Sequence, residues 1–96
     1  MTLAAFGEQH RLLLVVTRQS EHRYTVDFES AEVMEGEQGG ILSSTYGDAD
    51  TPAAAALRYA ELIQGQRLVI DAMRPERREI EVPVLDGIGL IEGITV

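Results

Sequence analysis

The sequence predicts an α+β fold: a mostly antiparallel five- or six-stranded sheet with one covering helix, in the order β-β-β-α-β-β(-β). Three observations lead there. Tyr24, Val26 and Phe28 alternate with Thr25, Asp27 and Glu29, the period of two that belongs to a strand with one covered face. From Pro52 to Gln64 the chain is rich in Ala, with Ala53, Ala56, Leu57, Ala60 and Ile63 recurring at helical spacings of three and four. Short apolar runs elsewhere are separated by Gly, Pro and Asp clusters, the punctuation of turns.

Taken in order, Arg11 to Arg18 is dense in Leu and Val with a β-branched end and forms the first expected strand. Gln19 to His22 is a polar turn, and the alternating Tyr24 to Glu29 segment is the second strand. Ala31 to Glu37 continues it with Val33 among acids, Glu37-Gln38-Gly39-Gly40 breaks the pattern as hairpin turns do, and Ile41 to Tyr46 is the third strand. Gly47 to Asp50 reads as a turn into the helix. Thr51 or Asp50 is placed to cap it, Pro52 suits the first helical position because no N–H is needed there, and Gly65 stops it. Leu68-Val69-Ile70 is a short buried strand, Met73 to Glu76 a turn, and Ile80, Val82 and Val84 alternate along a further strand. Pro83 puts that strand at an edge or ends it. Leu85 to Val96 is apolar and Gly-spaced, a last strand or an arm that docks on another copy.

The 96 residues, 45% hydrophobic and 25% charged, fit a single domain spanning residues 1–96. A chain this short leaves roughly a third of its unfolded surface exposed, so sites belong on its surface or at a subunit interface. A net charge of -8 and a pI near 4.6 argue against direct binding to nucleic acid or to an anionic membrane, both of which reward phosphate neutralisation. All the cations are Arg, which reads as coding bias rather than anion recognition. The absence of cysteine excludes disulfides and thiolate chemistry. Met1 to Gly7 lacks the pattern of a secretion signal and no apolar run is long enough to cross a bilayer, so a cytoplasmic location in a host cell is expected.

The residues name no reaction. His10 and His22 lack the short spacing of a zinc helix, and Asp48 and Asp50 match no calcium loop, so neither metal nor cofactor is expected. No serine sits in a Gly-x-Ser-x-Gly elbow, and the Gly clusters at 36–40 and 87–93 complete neither a dinucleotide fingerprint nor a P-loop. Arg74, Arg77 and Arg78 alternate with Glu76 and Glu79 as a solvated hairpin tip does.

What stands out is charge. Between Arg23 and Arg58 there is no basic residue, while Asp27, Glu29, Glu32, Glu35, Glu37, Asp48 and Asp50 supply seven carboxylates. Asp48 and Asp50 are accounted for by the turn and the helix N-terminus, where carboxylates are locally favourable. Asp27, Glu29, Glu32, Glu35 and Glu37 remain as the partner-binding patch, on the polar side of the second strand and the loop after it. Opposite charge steers association, so the expected partner is a basic host protein, including one that itself binds nucleic acid.

Two resemblances bear on this. The stretch from Tyr24 to Ile70, with Tyr24-Thr25-Val26-Asp27-Phe28, then Gly47-Asp48-Ala49-Asp50-Thr51-Pro52 and an Ala-rich helix, resembles HicB-type antitoxins. That resemblance implies a partial RNase H-like domain that neutralises a small RNA-cleaving toxin. Residues 46–84, with G-D-x-D-T-P, a helix, G-x-x-L-V-I-D-A and R-R-E-I-E-V-P, are similar to short acidic proteins of bacteriophage genomes. That similarity implies an inhibitor of host defence of the anti-CRISPR kind, acting by occupying a basic channel. The leading expectation is therefore a non-enzymatic, phage-type inhibitor; the alternatives are a HicB-like antitoxin and a structural or assembly module that oligomerises through its C-terminal arm, residues 85–96, and a homodimer is expected through that arm or through the sheet's uncovered face.

Overall fold

The computed structural model, which describes residues 1–35 and 41–89, is α+β with two helices and seven strands among those residues. The order is α1 (Leu3–Gln9), β1 (Leu14–Ser20), β2 (Arg23–Phe28), β3 (Ala31–Glu35), β4 (Ile41–Ser43), β5 (Gly47–Ala49), α2 (Pro52–Ile63), β6 (Arg67–Ile70) and β7 (Arg78–Glu81). The strands make two antiparallel sheets, β1-β2-β5 and β4-β3-β6-β7, where one sheet with one helix was expected. The division falls at Ser30, whose left-handed backbone (φ 59°) turns the chain out of the first sheet and into the second.

The extra helix, α1, is built by Thr2, whose Oγ1 accepts the Ala5 amide at 3.2 Å, and by Leu3 and Phe6, which are fully buried. Arg11, at φ 56°, ends it, and the Leu12 amide bonds the Gly7 carbonyl at 2.8 Å. That termination is why β1 begins at Leu14 rather than Arg11. Helix α2 begins and stops where expected, with Thr51 Oγ1 accepting the Ala54 amide at 3.1 Å, Pro52 its first residue and Gly65 (φ 74°) beyond it; it ends at Ile63 rather than Gln64, and its buried stripe takes Ala55 and Tyr59 while the expected Leu57 is exposed.

Gly47 decides how close α2 lies. A Cβ there would collide with the Ala55 carbonyl oxygen and come within 2.5 Å of the Tyr59 amide nitrogen, so only glycine lets β5 run under the helix. The small side chains of Ala55, Ala56 and Ala60, all buried, make the helix side of that contact. Around it Phe6, Phe28, Tyr59 and Ile63 join Leu68, Val82, Leu85 and Ile88 in one core. Each large apolar side chain so buried contributes about 1.5–3 kcal/mol relative to exposure. Phe28 links the parts, with its ring 5.6 Å from Tyr59 in an edge contact and 6.2 Å from Phe6.

Strand β7 stops at Glu81, two residues before Pro83. Val82 is buried but Val84 is 75% exposed, so the expected alternation does not extend that far. Leu85 to Gly89 form no strand and fold back onto α1 of their own chain: the Leu3 and Ala4 amides donate to the Gly87 and Ile88 carbonyls, both at 2.9 Å. The rest of the expected arm, residues 90–96, lies outside the described residues, as does the Gly-rich turn at 36–40.

Candidate functional site

Of the five acids singled out in the sequence, the four that the structure describes fall in three places. Asp27 lies on β2 directly opposite Val15 of β1, on the strand face away from buried Val26 and Phe28, and is itself half-buried. Desolvation holds its carboxyl above the usual range, which makes it a poor docking charge. Glu29 is exposed at the end of that strand, its amide donating to the Leu13 carbonyl at 2.8 Å. Glu32, partly buried, is on β3 opposite Val69, on the face away from buried Ala31 and Val33. The backbone of Glu35 pairs with Ile41 toward the other end of β3, roughly 10 Å along the strand from Glu32. Glu37 lies outside the described residues.

Glu29 and Glu32 thus flank the corner where the chain changes sheets, and pairing brings a third carboxylate to it. Ala31 faces Ile70, so the next residue of β6, Asp71, arrives beside Ser30 and its amide bonds the Ser30 carbonyl at 3.0 Å. Ser30, Glu32, Asp71, Ala72, Met73 and Arg74 line a shallow depression of about 190 Å³ there. Met73 stands on its rim 95% exposed, the most exposed large apolar side chain of the described residues.

Three connections meet at this pole. His10 to Leu13 reaches it through the Glu29–Leu13 bond and through Arg78 Nη1, which donates to the His10 carbonyl at 2.8 Å. Glu29 and Ser30 form the corner, and Asp71 to Arg77 the loop after β6. All the non-glycine residues with left-handed backbone among those described, Arg11, Ser30 and Asp71, sit in these connections. Such backbone costs about 1–2 kcal/mol per residue and is held in place by the bonds just described.

The acids here differ from those elsewhere on the sheets. Asp48 accepts Arg23 Nε at 3.0–3.1 Å and Arg23 Nη2 at 2.8 Å, and that contact holds its carboxyl below the usual range. It is therefore an ion-paired strand residue in β5, not a turn residue at the helix end. Glu79 and Glu81 pair with Arg67, and Glu79 also with Arg77. None of the ion pairs among the described residues involves Asp27, Glu29, Glu32 or Asp71. Arg74 lines the depression beside Glu32 and Asp71, and Arg11, Arg77 and Arg78 belong to the connections around it, so the pole carries both signs of charge, with these carboxylates outside the ion pairs.

A second groove, about 380 Å³ and open to solvent, is lined by Met1, Phe6, Gln9, His10, Glu81, Val82 and Pro83. His10 lies against the Phe6 ring with centroids 4.7 Å apart, a packing role. Among the described residues no group of three His, Asp or Glu side chains is arranged to hold a metal ion, and no helix is long and apolar enough to cross a membrane.

Asp71 and Met73 were not legible as site residues. Only the β3–β6 register reveals Asp71, whereas an apolar residue in the polar turn Met73-Arg74-Pro75-Glu76 was a signal for the other. No family model matches the chain, and no curated protein and no solved structure matches it either. The functional reading therefore rests on the chemistry of this pole.

Proposed function

We propose that the chain is a non-enzymatic protein-binding module whose partner presents basic side chains to Glu29, Glu32 and Asp71 and an apolar recess to Met73. The observation that carries this reading is the pairing of unlike features at one pole: carboxylates that enter no ion pair among the described residues, beside an apolar side chain 95% exposed. An apolar anchor ringed by charge is the usual anatomy of a protein-binding surface, the anchor setting lifetime and the charges setting encounter rate. Occupying a basic surface in this way is enough to inhibit its owner, in keeping with the similarity of residues 46–84 to phage proteins. It requires no reaction from this chain.

The test is capture of partners from host extract with the wild-type chain, with Met73→Asp and with Glu29→Lys/Glu32→Lys, followed by rebinding of the purified partner. The reading expects a protein with a basic surface, retained by the wild type at low salt and released at high salt. Met73→Asp should speed its dissociation, and the double charge reversal should slow its association at least tenfold and flatten the salt dependence. A partner held equally by all three chains would overturn the assignment of this pole.

A further inference from the structure

Strand β1 is the one sheet edge among the described residues that nothing blunts. Natural sheets protect their edges by shortness, charge, proline or a cover, because an open edge is a template for another strand. Here β4 and β5 are three residues each, and β5 is covered by α2. β7 is four residues, of which Arg78, Glu79 and Glu81 are charged, with Pro83 just beyond. β1, by contrast, runs seven residues, from Leu14 to Ser20, with Arg18 its only charge.

Its free side follows from the register. The Glu29 amide bonds the Leu13 carbonyl, so the residues of β1 that exchange hydrogen bonds with β2 are odd-numbered, and the amides and carbonyls of Leu14, Val16 and Arg18 point away from it. Phe28 agrees: opposite Leu14, its amide turns the other way, to Tyr59 Oη. No described backbone group bonds the outward amides of Leu14, Val16 or Arg18. Val16 is 40% exposed although its partner Val26 is fully buried.

We propose that this edge pairs antiparallel with β1 of a second copy of the chain, about a two-fold axis at Val16, joining two three-stranded sheets into one of six strands. The regular ladder spans Leu14 to Arg18, with an irregularity between Arg18 and Ser20, and Val16 is its centre. About that centre Val16 faces Val16 of the other copy, Leu14 faces Arg18, Val15 faces Thr17 and exposed Leu13 faces Gln19. No like charges are opposed. The self-complementary, nearly uncharged strand selects its own copy over the basic partner of the Met73 pole, because it offers a charged strand nothing to pair with.

The chain has no cysteine, so Val16→Cys places one thiol per copy at the axis. Cα atoms of a hydrogen-bonded antiparallel pair stand about 5.5 Å apart, within disulfide reach. Under mild oxidation Val16→Cys should give a covalent dimer at least tenfold faster than Met73→Cys, although Met73 is the more exposed. Sedimentation of the wild type should show a concentration-dependent dimer that added salt strengthens, since each copy carries a net charge of -8. Val16→Pro removes an outward amide and leaves the β1–β2 bonds intact, so it should abolish the dimer while keeping the folded circular dichroism spectrum, and should remove any concentration dependence of the melting temperature; Val16→Lys serves if the proline variant does not fold. The proposal is overturned by a wild type that stays monomeric at every concentration. It is equally overturned by cross-linking no faster than Met73→Cys, by a dimer that salt dissolves, or by a monomer that dimerises only once residues 90–96 are removed.

Discussion

At one edge of the three-stranded sheet, β5 is three residues long and α2 lies hard against it. At the other, β1 runs more than twice as far, and no described backbone group bonds its outward amides. Where β5 begins, β2 still has an amide to satisfy. The β2–β5 register, which pairs Val26 with Gly47, would set Phe28 opposite Thr45, beyond the start of the strand. The Tyr59 hydroxyl takes that place and accepts the Phe28 amide at 3.1 Å. The comparison teaches that a short edge strand can be completed by a side chain from the covering helix, whereas a long open one is left as a template for another strand.

The largest break in that comparison is Gly47→Ala. Its methyl must lift α2 from β5, and overpacking of this kind costs about 3 kcal/mol, which should lower the urea midpoint read by circular dichroism by about 1–3 M. Second is Tyr59→Phe, which leaves the buried Phe28 amide without its acceptor and costs about 1–3 kcal/mol, each kcal/mol lowering Tm by roughly 4–8 °C at this size. Burial pushes the Tyr59 phenol up to about 12, against an ordinary value of 10.0. Its folded pKa is raised, so the stability it contributes is complete below pH 10 and is lost as pH rises through about 12. Tyr59→Phe should abolish this alkaline loss.

The smallest effects carry opposite signs on the two sides of β2. Asp27 is raised by desolvation, so ionising it costs stability as pH rises, and Asp27→Asn should be the more stable chain at neutral pH. Asp48 is lowered by Arg23, so its contribution is present at neutral pH and lost in acid, and Asp48→Asn should be slightly less stable at neutral pH. Both differences from wild type should close as pH falls through the carboxylate range in denaturant titrations.

How much of this was legible follows from where the information resides. The start and stop of helix α2 were readable because Thr51, Pro52 and Gly65 act locally, whereas its buried face, which takes Tyr59 and leaves Leu57 exposed, is set by the sheet it packs on. β2 was readable because Tyr24, Val26 and Phe28 alternate on a strand with one covered face. α1 was missed, though Thr2 as cap and the i, i+3 pair Leu3 and Phe6 marked it, because a seven-residue helix carries less than two turns of periodicity. β5 was read as a turn since Gly47-Asp48-Ala49 has no strand propensity; only its bonds to β2 make it one. The split into two sheets turns on a serine adopting a conformation that composition reserves for glycine. Of the five candidate acids, Glu29 and Glu32 come to the corner and Asp27 is spent on a half-buried strand face. Asp71, three strands and a helix away in sequence, joins them through register that no local pattern encodes.

The bonds from Leu3 and Ala4 to Gly87 and Ile88 also set an order of events on the ribosome. The helix made first packs on Phe28, made soon after it, but the rest of its core, including Leu85 and Ile88, is made near the end of the described chain. At about 5–20 residues per second the apolar face of α1 stays partly uncovered for on the order of 10 s. That interval is when Leu3 and Phe6 are open to chaperones, and a chain arrested before residue 85 should bind them without release.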